Sequence, residues 1–145
     1  MSISNENVYT EKHCTYDTVQ DCVHVFRVRK PTRQAVDEYL TKLAALFEAH
    51  PDDEPFLFIV DVRKGMPSFA YTMQRSRQFI RTIEMPSNIR VVYLHHNNPI
   101  LHTMGVFLST QRLRSERLIL NGDREDDALV WLFSEARAHQ HVATK

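Results

Sequence analysis

The chain is expected to fold as one α/β domain, 1–145, with a mostly parallel central sheet flanked by helices and the element order ββαβαβαβα. Three observations predict this. Phe56 to Val62 opens with five consecutive apolar residues that run into Asp61-Val62-Arg63, the pattern of a strand buried on both faces, as parallel strands covered by helices are. Helical spacing follows that run and each later strand candidate, so crossovers can return the chain in the same direction. At 145 residues, 43% apolar and 25% charged, the chain is long enough for one real core and has the make-up of an ordinary globular protein.

Val8 to Tyr16 is a weak strand candidate and Cys22 to Val28 a stronger one, joined by the polar turn Asp17 to Asp21. Pro31 and Thr32 open a helix, proline suiting a first turn and threonine a cap. Val36, Leu40, Leu43 and Phe47 give it one buried face, and His50-Pro51 ends it. After the Phe56 to Val62 strand, a second helix spans Ser68 to Glu84, with Phe69, Met73, Ser76, Ile80 and Ile83 inward. Met85 to Asn88 breaks it. Ile89 to His95 is a strand, and Asn98-Pro99 starts a third helix with Ile100, Met104, Phe107 and Leu108 as its core stripe. Arg117 to Leu120 is a short strand and Asn121-Gly122 a turn. Asp123 caps a final helix burying Leu129, Leu132, Phe133 and Ala136. Residues 1–7 and 139–145 are expected to be flexible.

Composition excludes several function classes. Eighteen basic residues balance eighteen acidic ones, so no global field draws the chain to nucleic acid or an anionic membrane. Met1 to Lys12 lacks an apolar signal core and no apolar run reaches spanning length; no membrane insertion and a cytoplasmic location are expected. Two cysteines, Cys14 and Cys22, fit neither a disulfide framework nor a four-ligand zinc site. As a hairpin pair they could be neighbours, although a cytosolic pair stays reduced. With three glycines in all and no glycines flanking Ser109 or Ser115, neither a phosphate-cradling loop nor a nucleophile elbow is present.

Candidate site residues gather where parallel strands end, the usual place for ligands in open sheets. Asp61, Arg63, Lys64, His95, His96, Asn97, Asn98 and Asn121 fall there. Asp61 and Arg63 suggest an acid or an anion clamp, against the plainer role of bonding a neighbouring backbone. His95-His96-Asn97-Asn98 could form a ligand site, or a metal site with His102, against the plainer role of a capping loop. No carboxylate stands at ligand spacing to these histidines, so no metal and no cofactor is expected. Arg75, Arg77 and Arg81 lie along the second helix, Arg77 and Arg81 on one face; they are a candidate interaction face or simply a solvated one. Arg90, Arg112, Arg114 and Arg117 follow later in the chain.

The order of elements, the buried strand ending in Asp-Val-Arg before a helix, and the closing Asp-Arg-Glu-Asp-Asp-Ala-Leu-Val-Trp-Leu helix together resemble the STAS (anti-sigma-factor antagonist) domain family. The likeness runs from Tyr16 to Ala136 and is closest to a bacterial branch sharing its fold with the lipid-binding CRAL-TRIO domains. It implies a non-enzymatic binding or regulatory module. A protein partner is expected, and a homodimer, since the leading strand and the arginine-bearing second helix both offer surface to a twin chain. The alternative is a carrier or sensor of a small apolar ligand, and a small enzyme using the His95/His96 edge comes after that. The family's regulatory serine stands in an Asp-Ser-Ser-Gly turn. Here the region reads Gly65-Met66-Pro67-Ser68-Phe69-Ala70, so Ser68 matches by position only and is expected to serve as an N-cap.

Overall fold

The computed structural model describes residues 11–51, 53–101, 103 and 115–134. Among them run β1 (Cys14–Val19), β2 (Val23–Val28), α1 (Arg33–Ala49), β3 (Phe56–Asp61), α2 (Phe69–Thr82), β4 (Ile89–His95), β5 (Ser115–Asn121) and α3 (Glu125–Leu132). The sheet order is β1-β2-β3-β4-β5. β1 is antiparallel to β2, and every later pair is parallel. The expected α/β architecture with its mostly parallel sheet is thus observed.

All six residues of β3 are buried, because helices cover both faces of the sheet at its centre. Phe26, Phe56, Phe58, Val60, Ile89 and Val91 meet α1 and α2 on one face. Val23, Val25, Leu57, Ile59, Val92 and Leu94 meet α3 on the other. Burying each such side chain stabilises the fold by roughly 1.5–3 kcal/mol. Alternation along each strand decides which cluster a residue joins.

The helices start where their sequence signals stand. Thr32 caps α1, its hydroxyl accepting from the Ala35 amide at 3.2 Å. Ser68 caps α2, accepting from the Tyr71 amide at 3.3 Å. Gly65 makes the turn that leads from β3 to that cap; its φ of +133° is one that side-chain-bearing residues rarely adopt.

Several expectations need correction. The first described strand begins at Cys14 and continues through Asp17 and Thr18, both exposed, because an edge strand half in water carries polar residues. The turn tightens to Gln20 and Asp21, with φ of 56° and 60°, the left-handed conformation that suits a hairpin's twist. Cys14 pairs with Val28 while Cys22 sits in the turn, so the two thiols lie at opposite ends of the hairpin and are free. Asp123 does not cap α3. The cap position falls to Arg124, whose side chain makes no capping hydrogen bond, and Glu125, Asp126 and Asp127 supply the first-turn charge that favours a helix start. Ile100 and Phe133, expected inside, are 47% and 45% exposed. Leu101 and Ala128 are the buried neighbours. Met104, Phe107, Leu108, Ala136, His102 and Arg112 lie outside the described residues.

Candidate functional site

The first candidate lies at the carboxyl edge of the parallel strands. Asp61, at the end of β3, accepts from the Arg63 amide at 3.0 Å and from Arg63 Nε and Nη2 at 2.9 and 2.8 Å. Arg27, one strand over in register with Asp61, donates Nη1 to it at 2.8 Å and reaches both Glu125 oxygens at 3.1 and 3.0 Å. Arg63 Nη1 extends to Asp123 at 2.6 Å. Two arginines and three carboxylates therefore tie β2, β3 and the start of α3 together.

Burial pushes the Asp61 carboxyl up, but hydrogen bonds from Arg63 and Arg27 outweigh it and hold the group down at about 2. The same bonds raise both guanidiniums, Arg63 chiefly through Asp61 and Arg27 chiefly through Glu125. Asp61 is thus a fixed anion with its lone pairs engaged, which suits it to holding loops and not to moving protons. An open cleft of about 290 Å³ borders this network, lined by Arg29, Lys64 and His96 besides.

Of the remaining predicted site residues, Lys64 and His96 border that cleft, and the others do not line it. His95 is 4% exposed, its Nδ1 accepting from the Asn98 amide at 3.0 Å. His96 is exposed, 3.6 Å from Asp123. Asn98 accepts from the Ile100 amide at 3.0 Å, the capping role its place before Pro99 suggests. Asn97 and Asn121 bond one another. Among the described residues no group of three His, Cys, Asp or Glu side chains could hold a metal. Arg75 is drawn off the helix face to Asp37 of α1, which also accepts from Tyr71 at 2.7 Å. Arg77 and Arg81 stay exposed.

The second candidate was not among the residues singled out from the sequence as site residues. Between the α1–α2 layer and the sheet lies a cavity of about 130 Å³. Its walls are apolar, with Leu43, Phe58, Met73, Phe79 and Val91 among them. Among the described residues six polar side chains interrupt them: Tyr39, Thr72, Ser76, Tyr93, Ser115 and Arg117. Burial pushes the Tyr93 phenol up to about 12 against the pull of Arg117. Tyr39 is raised by burial too. The Thr72 hydroxyl is buried with no hydrogen-bond partner among the described residues. Arg117, facing inward from β5 opposite Val91, donates to Ser115 Oγ at 2.6 Å and forms no ion pair with any described carboxylate. Burial lowers its affinity for the proton, yet guanidinium keeps its charge at any physiological pH. In the sequence Arg117 was one arginine of several. What sets it apart is inward register on an edge strand, and strand pairing alone reveals that.

The described residues thus define a five-stranded α/β domain with a charge-paired rim and an apolar cavity under its helices. No helix among them is long and apolar enough to cross a membrane. Set against protein-family models, curated proteins and solved structures, the chain matches none.

Proposed function

We propose that the chain is a non-enzymatic binding module of STAS-like topology, and that it holds a small apolar molecule between its helix layer and its sheet. The apolar cavity carries this reading. At about 130 Å³ it is close to the roughly 150 Å³ of an engineered apolar cavity that stays dry and takes up benzene. Polar groups are a minority of its described walls, as in sites that bind through shape with a few orienting contacts. The rim supports the non-enzymatic part, since its strongest acid is engaged by two arginines.

A protein partner bound at the rim, or a second copy of the chain, is the second reading. The open charged cleft at that rim favours it. Native mass spectrometry of the chain purified from its own host separates the two. A mass increment of a few hundred daltons or less, released on denaturation, is the expected result. A complex with another polypeptide and no small adduct would move the assignment to the partner reading.

A further inference from the structure

We infer that the ligand of this cavity is a monocarboxylate with a short apolar tail, its carboxylate held by Arg117. The inference rests on the cavity reading above and adds the chemistry of the head group. Arg117 is half-buried and lines the cavity wall. Every other half-buried or buried arginine with an ion pair described here meets a carboxylate: Arg27 and Arg63 meet Asp61, Arg75 meets Asp37, and Arg90 meets Glu116. Among the described residues Arg117 has only a serine hydroxyl as hydrogen-bond partner, which fixes one nitrogen and leaves the other donors of its fork for a ligand.

Taking a guanidinium out of water without a counter-ion is unfavourable. A planar carboxylate matches its fork with two parallel hydrogen bonds, shorter and stronger than neutral ones. Ser115 orients the guanidinium in advance, so little side-chain freedom remains to be lost on binding. The tail then has the apolar walls, where Met66, Met73 and Met85 offer adaptable surface. The cavity's size limits that tail to on the order of six to eight carbons. An uncharged molecule of the same shape would leave the arginine uncompensated, and a dicarboxylate would bury a second charge with no partner.

Calorimetric titration of the full chain with octanoate and with 1-octanol, which differ only at the head, tests this. Octanoate is expected to bind at least tenfold more tightly. Arg117→Gln should abolish that preference, and Arg117→Lys should keep part of it. Ser76→Leu, which fills the cavity from α2, should weaken both. Equal binding of the two ligands by the unmodified chain would overturn the head-group inference and leave the cavity reading standing. Absence of binding by either would overturn both. Because the first comparison uses the unmodified protein, it decides the matter even where a variant unfolds.

Discussion

Arg90 and Leu132 are joined across 42 residues: Nη1 of the arginine, from inside the sheet, donates to the Leu132 carbonyl at 2.9 Å. Nη2 takes the Trp131 carbonyl at 2.8 Å, Nε lies 3.0 Å from Glu116, and the guanidinium rests 4.5 Å from the centre of the Trp131 ring. A side chain 1% exposed thereby serves the last carbonyls of α3, sharing that of Trp131 with the amide and hydroxyl of Ser134. Its positive charge also stands at the negative end of that helix.

Arg90→Met is accordingly expected to destabilise the chain by about 3 kcal/mol, since the Leu132 and Trp131 carbonyls lose the arginine's donors and Glu116 loses its ion-pair partner. Arg90→Lys should recover little, because an ammonium lacks the fork that spans two carbonyls and a carboxylate. Urea unfolding of both variants checks this. A lysine variant as stable as the parent would show that charge alone suffices.

Asp61 sets the acid limit. Its carboxyl is held at about 2, against an ordinary 3.8, so the folded state binds that proton less readily than the unfolded chain. The stability it contributes is complete above about pH 4 and is lost as pH falls towards 2. The shift corresponds to about 2 kcal/mol. Asp61→Asn should be less stable at neutral pH and should lose less on acidification through this window. Unfolding midpoints at several pH values measure it, and an unchanged pH slope in the variant would count against the ion network as described.

His24 acts in the other range. Burial, then His50 and Lys42, lower its proton affinity below the ordinary 6.5, while its ring stacks on Phe56 at 4.7 Å and meets the Tyr16 hydroxyl at 2.7 Å. The neutral form is favoured in the fold. Stability is therefore full above about pH 6.5 and declines as pH falls through the lowered value. His24→Phe keeps the stacking and should flatten melting temperature between pH 7 and 5; a parent chain already flat there would contradict the assignment.

How much of this was legible in the sequence differs by feature. β3 and β4 stood out because burial on both faces writes an apolar run. The caps Thr32, Ser68 and Asn98 stood out because capping is local chemistry. The ion network was half legible. Asp61 and Arg63 are two positions apart in sequence and could be paired by eye, whereas Arg27 and Glu125 join them only through strand register and the return of α3. β1 was misplaced because an exposed edge strand carries no apolar signature. The cavity was invisible: its walls read as ordinary core stripe, and a void belongs to the fit between elements.

Thr72→Val is expected to be neutral or to stabilise by up to about 1 kcal/mol, since it replaces a buried hydroxyl without a partner by a methyl group of like shape. Thermal melts of the two proteins decide it. A loss above about 1 kcal/mol would mean that the hydroxyl holds a water or a ligand group.

Ser68→Ala should cost about 1 kcal/mol, and Ser68→Asp should be tolerated, because aspartate also caps and favours the positive helix end. If Ser68→Asp instead changed oligomeric state at unchanged stability, as measured by light scattering and chemical unfolding, the serine would be a switch and not a cap.

The strand order also bears on how the chain is made. Each strand pairs with its neighbours in sequence, so the sheet can grow at one edge as residues leave the ribosome, with no later strand needing to insert between earlier ones. Short sequence separation between partners keeps loop-closure entropy small for a parallel sheet. A nascent chain halted after Glu84 would already carry β1, β2, β3 and the helices that cover one face. Slowed amide exchange in β2 of such a chain is the expected sign of vectorial assembly.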